Sequence, residues 1–370
     1  MTGSLASTRP GHRAGPGSTA MRPIKLMIVD DSMVARAVLS RMIDADGGFE
    51  IAGVAGTAED AIDALGQVMV DIVLLDLEMP GLGGLKSIPR ILAAAKGAKV
   101  LIVSSLAEEG AEETVAALAL GAADTLPKPG TGRFNGRFSE VLLTRLRALG
   151  RAERGDYGAR PRTLPPTGPL RAATDAPLKL VAIGASTGGI HALGAFFAAL
   201  PEKIGVPILV TQHLPPPFMA VFARQLGVVA KREALVAEDG MRLLPDRIVI
   251  APGDAHLAID EVGGKLIARL LRTKSTSGCM PSVDPMLASA GAVLGSAALG
   301  VVLTGMGRDG VEGARRLVDA GGAIIAQDEA SCAVWGMPRA VTEAGLACAV
   351  LPPDKIARRV AGRAQEVLCR

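Results

Sequence analysis

The sequence predicts two α/β domains, each built on a parallel sheet, with a proline-rich linker between them. Apolar strand-like runs alternate with helix-period segments through residues 24–149, and the same alternation resumes at residue 178. Between these stretches the composition changes abruptly to Pro, Gly and Arg. We therefore expect a five-stranded parallel (βα)5 domain first and a doubly wound, mostly parallel α/β domain second. The predicted boundaries are a disordered tail at 1–20, a first domain at 21–146, a linker at 147–177 and a second domain at 178–370.

The composition is typical of a compact soluble protein. Of the 370 residues, 49% are hydrophobic and 21% are charged, which is enough apolar material for a core in each domain. A net charge of +3 and an aromatic content of 2% provide neither a basic face nor a base-stacking platform, so we expect no nucleic-acid partner. The longest small-apolar stretch, 293–307, is too short and too rich in glycine for membrane insertion. The 4 cysteines form no C-x-x-C pair, which favours reduced thiols and a cytoplasmic location.

The N-terminal tail does not have the pattern of a secretory signal. Residues 1–20 contain Pro, Gly and Ser but lack an apolar segment. A translation start at Met21 would remove the tail, and the intact mass of the native protein tests that hypothesis.

The first domain is predicted to contain five βα units. Parallel strands of this kind are covered by helices on both faces and gather their functional residues beyond the carboxyl ends of the strands. The predicted strands are 24–29, 50–55, 72–75, 100–103 and 124–126, and the predicted helices are 34–43, 58–65, 84–94, 111–120 and 138–149.

Polar residues follow four of these predicted strands. Asp30 and Asp31 follow the first strand, Asp76 the third, Ser104 the fourth and Lys128 the fifth. Three carboxylates that converge on one point repel one another unless a cation lies among them, and Mg²⁺ is the oxygen-seeking ion that fits. Such a cation would neutralise an incoming phosphoryl group, while the hydroxyl and the ammonium bind its oxygens. Each residue alone is more often a helix cap or a solvated charge, but their joint placement predicts a phosphate-accepting site.

These motifs resemble the signature of two-component response-regulator receiver domains over residues 24–145. The resemblance implies that a histidine kinase phosphorylates Asp76. It also implies that Asp31, Asp76 and the main-chain carbonyl of Glu78 bind Mg²⁺ beside Asp30, and that Ser104 and Lys128 respond to the phosphate. The segments that carry the resemblance are Ile28-Val29-Asp30-Asp31-Ser32, Asp76-Leu77-Glu78-Met79-Pro80, Ser104-Ser105 and Lys128-Pro129.

Two positions depart from the receiver pattern. Gly83 stands where the family usually has an acidic residue, and Thr125 occupies the usual aromatic switch position. The departure at Thr125 puts the rotamer readout of phosphorylation in question, but not phosphorylation itself.

The linker is predicted to be semi-extended and solvated, because it is rich in proline and carries many arginines. The prolines are Pro161, Pro165, Pro166, Pro169 and Pro177, and the arginines are Arg147, Arg151, Arg154, Arg160, Arg162 and Arg171.

The second domain repeats the alternation of strands and helices. Its strands are predicted at 178–183, 207–211, 247–251, 300–304 and 322–326, and its helices at 190–200, 217–226, 284–294, 310–320 and 355–368. Ser186, His213 and Asp309 each follow one of these strands. We expect a parallel sheet to bring the three residues to one edge.

Ser186 lies at the crest of a glycine turn between a strand and a helix. The segment Gly184–Gly188 has the letters of the G-x-S-x-G elbow, which exposes a serine at the carboxyl end of a sheet strand. Backbone N–H groups at such a turn favour an oxygen that is gaining negative charge. The alternative is a phosphate cradle of a nucleotide-binding unit, which is weaker because the chain has neither G-x-G-x-x-G here nor a Walker lysine.

A serine hydroxyl becomes a nucleophile when a neutral imidazole takes its proton. His213 is the natural base, and Asp309 would hold the imidazole in the correct tautomer. His256 is a rival base, and Asp284 and Asp328 are rival carboxylates. The chain order Ser, His, Asp excludes the α/β-hydrolase family, in which the order is Ser, Asp, His.

The second domain resembles the chemotaxis protein-glutamate methylesterases over nearly all of residues 178–368. The resemblance implies a Ser186–His213–Asp309 triad, with Thr187 assisting at the site and Met306 contributing a backbone donor to the oxyanion. It implies no cofactor for hydrolysis. The segments that carry it are Gly184-Ala185-Ser186-Thr187-Gly188-Gly189, Gln212-His213-Leu214-Pro215, Ala251-Pro252-Gly253-Asp254, Pro281-Ser282-Val283-Asp284, Thr304-Gly305-Met306-Gly307-Arg308-Asp309-Gly310 and Trp335-Gly336-Met337-Pro338-Arg339.

Together the two resemblances imply a serine hydrolase that is controlled by phosphorylation. Its substrates would be glutamate methyl esters on methyl-accepting chemoreceptors, which release methanol, and receptor glutamines, which release ammonia. A chemotaxis histidine kinase would donate the phosphate, and the unphosphorylated receiver would pack over the active site. Two alternatives stay open: a signalling adaptor in which Ser186 is only a turn residue, and a hydrolase of another acyl ester or amide.

Overall fold

The computed structural model describes residues 22–104, 108–128, 136–152, 170–171 and 176–368. Within these residues the chain forms two parallel sheets with helices packed on them, which confirms the predicted fold class. Met21, the tail before it, Ser105 and Pro129 lie outside the described residues, as does most of the predicted linker.

The N-terminal domain has five parallel strands in the spatial order β2-β1-β3-β4-β5. β1 and β3 are nearly continuous runs of buried apolar residues, as expected for central strands of a parallel sheet. The elements are β1 (Ile24–Val29), α1 (Met33–Asp44), β2 (Phe49–Ala55), α2 (Ala58–Leu65), β3 (Ile72–Leu75), α3 (Gly84–Ala94), β4 (Lys99–Ser104), α4 (Glu108–Ala119), β5 (Asp124–Pro127) and α5 (Gly136–Ala152).

Helix α5 continues past the domain boundary predicted at residue 147. Leu142, Leu146 and Leu149 are fully buried and lie three or four residues apart. This spacing puts them on one face of the helix, so packing against the sheet holds the last turns in place.

The C-terminal domain has a parallel sheet of seven strands in the order β14-β13-β12-β6-β7-β9-β8, and an antiparallel hairpin of β10 and β11. The strand order reverses at β6, which pairs with β7 on one side and β12 on the other. Ligand sites in open α/β sheets lie at such a reversal. The elements are β6 (Leu180–Ala185), α6 (Gly189–Ala199), β7 (Ile208–Gln212), α7 (Pro216–Ala230), β8 (Ala234–Val236), β9 (Ile248–Ile250), β10 (His256–Val262), β11 (Lys265–Leu271), α8 (Val283–Leu294), β12 (Ala298–Val302), α9 (Val311–Asp319), β13 (Ala323–Gln327), α10 (Met337–Glu343), β14 (Ala347–Leu351) and α11 (Pro353–Leu368).

The two domains share a buried interface. Helix α4 of the first domain packs against α6 and α7 of the second. One cluster of buried apolar side chains includes Val115 and Leu118 of α4 together with Leu193 of α6 and Phe222 of α7. No helix in the described part of the chain is long and apolar enough to cross a membrane.

Candidate active site

Ser186, His213 and Asp309 meet at the carboxyl edge of the C-terminal sheet. Ser186 follows β6, His213 follows β7, and Asp309 lies between β12 and α9. The Nδ1 atom of His213 is 3.0 Å from Ser186 Oγ, and its Nε2 atom is 2.8 Å from Asp309 Oδ2. The structure therefore brings the three predicted residues into one hydrogen-bonded chain.

Backbone contacts fix the position of Ser186. Its N–H donates to the carbonyl of Thr304 at 3.0 Å, and its own carbonyl accepts from Gln212 Nε2 at 2.9 Å. Gly188 has φ +76°, and a Cβ at this position would lie 2.4 Å from the Cβ of Ala333. The turn therefore requires glycine at residue 188 for both conformation and space.

The hydrogen-bond partners of His213 determine the tautomer of its ring. The Asp309 carboxylate only accepts, so the proton lies on Nε2 of the neutral imidazole and Nδ1 accepts from the Ser186 hydroxyl. The ring faces the serine with Nδ1 and the carboxylate with Nε2, which is the reverse of the arrangement in chymotrypsin-like proteases. Either nitrogen can act as a base when the other is fixed by a carboxylate.

Asp309 is 2% exposed, and its two oxygens accept further hydrogen bonds. The Ser282 hydroxyl donates to Oδ1 at 2.6 Å, and the Val283 N–H donates to Oδ2 at 2.7 Å. Burial opposes ionisation, but the hydrogen bonds from His213, Ser282 and Val283 hold the pKa of Asp309 well below its usual range. The carboxylate therefore stays charged beside the imidazole.

The structure places the rival residues elsewhere. His256 is fully buried, accepts from the Ser282 N–H at 2.9 Å through Nδ1, and faces the Thr273 carbonyl at 2.8 Å through Nε2. Asp284 accepts from the Gly313 N–H at 2.8 Å, and Asp328 accepts from the Ser331 hydroxyl. Within the described residues, none of these three side chains bonds to Ser186.

Three neighbours of the site were not predicted from the sequence. They are Ser282, which bonds to Asp309; Gln212, which bonds to the Ser186 carbonyl; and Cys279, whose sulfur lies within 4.8 Å of ring or carboxylate atoms of His213 and Asp309. Burial raises the pKa of the Cys279 thiol. The segment 281–284 marked the neighbourhood of Ser282, but no local pattern indicated its contact with Asp309.

Thr187 faces the N-terminal domain. Its hydroxyl donates to Asp124 Oδ2 of β5 at 2.7 Å, and the Gly188 N–H donates to the Ala123 carbonyl at 2.6 Å. The turn that carries Ser186 is therefore bound on its outer side by β5.

Met306 lies close to Ser186 and also contacts the N-terminal domain. A Cβ on the preceding Gly305 would lie 2.7 Å from the Cβ of Ser186. The Met306 side chain packs against a buried cluster that contains Val334 together with Val103 and Leu126 of the N-terminal domain. The role of the Met306 N–H as an oxyanion donor stays a prediction.

The predicted phosphate-accepting residues meet at the carboxyl edge of the first sheet. Carboxylate oxygens of Asp30, Asp31 and Asp76 lie within 4.8 Å of one another. Lys128 Nζ is 2.8 Å from Asp30 Oδ2 and 2.6 Å from Asp76 Oδ2. Burial raises the pKa of Asp76, although the Lys128 charge opposes the shift. A donor set made only of carboxylate oxygens fits Mg²⁺.

The remaining predicted residues surround this cluster. The Glu78 N–H donates to Asp76 Oδ1 at 3.2 Å, and Ser104 Oγ lies 3.2 Å from Thr114 Oγ1 of α4. Thr125 is buried in β5, where its carbonyl accepts from Arg145. Gly83 precedes α3 with φ +73°. An acidic side chain at residue 83 would be strained at this positive φ.

Each half of the chain matches a known protein family. A family model described as CheB methylesterase matches residues 181–360. A model described as response regulator receiver domain matches residues 26–133. Both matches confirm the resemblances predicted from the motifs.

Relatives of known name match almost the whole chain. "Protein-glutamate methylesterase/protein-glutamine glutaminase 2" of Caulobacter vibrioides is 42% identical over 349 residues, which covers 93% of this chain and 100% of the relative. "Protein-glutamate methylesterase/protein-glutamine glutaminase 1" of Paramagnetospirillum magneticum is 38% identical over 365 residues, covering 92% and 96%. The crystal structure of the Thermotoga maritima CheB methylesterase catalytic domain is 38% identical with a TM-score of 0.49, covering 50% of this chain and 99% of that one. The identity and coverage of the two curated relatives show that the chain belongs to the family of protein-glutamate methylesterases/protein-glutamine glutaminases.

Proposed function

We propose that this chain is a phosphorylation-activated serine hydrolase that removes methyl esters from glutamates of methyl-accepting chemoreceptors. The same site would deamidate receptor glutamines to glutamate. The names of the relatives support the substrate class. The observation that carries the proposal is the pair of hydrogen bonds made by His213. Its Nδ1 atom lies 3.0 Å from Ser186 Oγ, and its Nε2 atom lies 2.8 Å from Asp309 Oδ2.

Ester cleavage begins at the serine. Ser186 Oγ attacks the γ-carbonyl carbon of the methylated glutamate, and His213 Nδ1 takes the hydroxyl proton. The Nε2–H of the imidazolium keeps donating its hydrogen bond to Asp309, whose negative charge stabilises the ring. The Met306 N–H stabilises the oxyanion. Methanol leaves with the proton from Nδ1, and the glutamyl group is left esterified to Ser186.

Hydrolysis of the acyl-enzyme completes the cycle. Water now acts as the nucleophile, and Ser186 is the leaving group. His213 Nδ1 takes a proton from water, hydroxide adds to the acyl carbon, and the proton returns to Ser186 Oγ as the glutamate side chain of the receptor leaves with a free γ-carboxylate. With a glutamine substrate the first leaving group is ammonia, and the second half is unchanged.

The unphosphorylated N-terminal domain covers this site. The contacts of Thr187 with Asp124 and of Gly188 with Ala123 hold β5 against the serine turn, at 2.7 and 2.6 Å. Met306 packs beside them against the first domain. A receptor segment would have to displace these contacts to reach Ser186.

Phosphorylation of Asp76 would release the cover. Asp31, Asp76 and the Glu78 carbonyl, beside Asp30, would hold Mg²⁺, which supplies positive charge to the incoming phosphoryl group. Ser104 and Lys128 then bind the phosphate oxygens. Ser104 gives up its contact with Thr114 of α4 and Lys128 its ion pair with Asp30. Because α4 and β5 carry the interdomain contacts, this rearrangement weakens the cover.

Product release from two substrates tests the chemistry. Wild-type chain, Ser186→Ala and Ser296→Ala are incubated with receptor fragments that carry either glutamate methyl esters or glutamines, and methanol and ammonia are measured. Ser296 is an exposed serine of the same domain and serves as the control. We expect both products from wild type and Ser296→Ala and neither from Ser186→Ala. Absence of both products with the wild-type chain would favour the adaptor alternative, and methanol release by Ser186→Ala at the wild-type rate would show that Ser186 is not the nucleophile.

A further inference from the structure

We propose that Ser282 is a positioning residue: its hydroxyl orients the Asp309 carboxylate for the hydrolysis. We also propose that His256 holds Ser282 in place. The proposal rests on the proposed function, because it gives Ser282 a role only if Asp309 acts through His213. It adds two residues to the hydrogen-bonded series Ser186–His213–Asp309: Ser282 contacts Asp309, and His256 contacts Ser282.

The Ser282 hydroxyl is placed to hold one oxygen of Asp309. It donates to Oδ1 at 2.6 Å, while the next residue, Val283, donates its N–H to Oδ2 at 2.7 Å. Ser282 is fully buried, so water does not compete for this hydrogen bond. Hydrogen bonds to a charged group are shorter and stronger than those between neutral groups.

Two donors on two different oxygens fix the rotation of the carboxylate. Oδ2 carries the bond to His213 Nε2 at 2.8 Å, so its direction decides where the imidazole points. Without the Ser282 hydroxyl, Oδ1 would lose its donor and the carboxylate would be free to turn away from His213. A carboxylate held by a second layer of hydrogen bonds is typical of sites that need a fixed imidazole.

His256 holds Ser282 from the opposite side. Its Nδ1 accepts from the Ser282 N–H at 2.9 Å, so the ring proton lies on Nε2, which donates to the Thr273 carbonyl at 2.8 Å. Both ring nitrogens are satisfied in a fully buried position. His256 is therefore a support for the backbone of Ser282 and not a base.

Ser282 also caps helix α8, and this structural role has to be separated from positioning. Its Oγ accepts from the Asp284 N–H at 3.3 Å. Replacement of a capping serine by alanine costs about 1 kcal/mol of stability, whereas replacement by glycine costs only a few tenths. Ser282→Ala loses the cap and the hydroxyl, while Ser282→Gly loses the hydroxyl and keeps most of the capping preference.

The test measures steady-state kinetics of methanol release by the full chain. We expect kcat to fall about 10- to 100-fold in both Ser282→Ala and Ser282→Gly. A decrease of this size corresponds to the loss of one hydrogen bond to a charged group. KM should stay close to the wild-type value, because Ser282 is buried behind Asp309 and does not face the substrate. The control is Ser289→Ala, a serine of the same helix that bonds to the Ile259 N–H and the Met286 carbonyl.

The pH profile and the proton spectrum provide readouts that a purely structural role would not move. Without the Ser282 donor the Asp309 carboxylate can turn away from His213 and stabilises the imidazolium less, so the acidic limb of the kcat/KM profile should shift to lower pH. Asp284 and Cys279 also lie near Asp309 and are unchanged in these variants. The downfield proton resonance of the His213 Nε2–H should move in both Ser282 variants and stay in place in Ser289→Ala.

Each outcome decides the proposal. Lower kcat in both Ser282 variants, with the shifted limb and resonance, supports it. Wild-type kcat in either folded variant, or a loss that only follows the unfolded fraction, overturns it. If Ser186→Ala keeps its activity, the proposed function itself has failed. For the second link, His256→Asn, whose side-chain oxygen can replace Nδ1 as acceptor, should retain more activity than His256→Leu, and equal kcat in the two would overturn the role of His256.

Discussion

Asp284 and Asp309 lie close together but have opposite ionisation behaviour. Burial and the nearby charge of Asp309 raise the pKa of Asp284 from 3.8 to about 6. Asp309 keeps its charge through the hydrogen bonds from His213, Ser282 and Val283. The difference assigns the negative charge of the site to the carboxylate that contacts the imidazole.

This assignment predicts how stability depends on pH. Between pH 3.8 and about 6 the unfolded chain loses the Asp284 proton while the folded chain keeps it, so the free energy of unfolding falls as pH rises through this window. Asp284→Asn removes this fall and still offers an oxygen to the Gly313 N–H. We expect the variant to gain stability over wild type by on the order of 1 kcal/mol at pH 8 relative to pH 4. Urea unfolding of both proteins at the two pH values measures this, and a relative gain at pH 4 would contradict it.

The residues of the proposed reaction could be predicted from the sequence because each follows a strand. Parallel strands bring their carboxyl ends together, so Ser186, His213 and Asp309 were indicated by position and chemistry. Ser282 and Asp124 were not predicted. Their contacts, with Asp309 and Thr187, join residues 27 and 63 positions apart and depend on how the elements pack.

At the scale of elements, β5 and the turn after β6 form the contact that we propose limits access to Ser186. Asp124 accepts from the Thr187 hydroxyl and also pairs with Arg145 at 2.8 Å. The Asp124 side chain is 18% exposed, so this hydrogen bond is partly shielded from water. The exposed pair of Arg224 and Glu112 lies in the same interface, but its side chains are 60% and 64% exposed.

We predict that Asp124→Ala raises the basal activity of the unphosphorylated chain. Loss of one hydrogen bond to a charged group should weaken the cover enough for an increase of about tenfold in methanol release. Arg224→Ala is the matched control and should change the basal rate little, since exposed ion pairs contribute about 0–1 kcal/mol. Equal basal rates in wild type and Asp124→Ala would show that this contact does not limit access.

Helices α8 and α9 approach each other closely, and the approach requires glycine. A Cβ on Gly313 of α9 would lie 2.4 Å from the Asp284 carbonyl oxygen of α8. Gly194 of α6 is also helical, but a Cβ there would meet nothing within 4 Å. The same substitution should therefore have opposite effects at the two positions.

We predict that Gly313→Ala destabilises the chain by about 1–3 kcal/mol, the usual cost of overpacking. Gly194→Ala should stabilise it by about 0.4–1 kcal/mol, because alanine restricts the unfolded chain more than glycine does. Urea unfolding of the two variants checks both signs. Destabilisation by Gly194→Ala as large as that by Gly313→Ala would contradict the account of the helix contact.

Most strands and helices of both domains could be predicted, because their apolar runs and their segments of helical periodicity are long enough to recognise. Five elements, β8, β10, β11, β14 and α10, were not predicted from the sequence. β8 has three residues and α10 has seven, too few for a clear period. The hairpin of β10 and β11 turns at Gly263-Gly264, and a Gly-Gly pair between two apolar runs is a hairpin signal in the sequence.

At the largest scale, we propose that the N-terminal domain controls the active site of the C-terminal domain through their shared interface. The phosphate-accepting cluster and the serine turn contact the same strand, since Lys128 follows β5 and Asp124 begins it. A buried apolar cluster continues from the first domain into the second through α4, α6 and α7. We propose that these contacts transmit a change at Asp76 to the cover over Ser186.

The most direct measurement is methanol release by the full chain on methylated receptor membranes, with and without a small phosphodonor and Mg²⁺. We predict that the phosphodonor raises the wild-type rate, leaves Asp76→Ala at its basal rate, and has no effect on Ser186→Ala, which releases no methanol in either condition. Methanol release by Ser186→Ala at the wild-type rate would contradict the account.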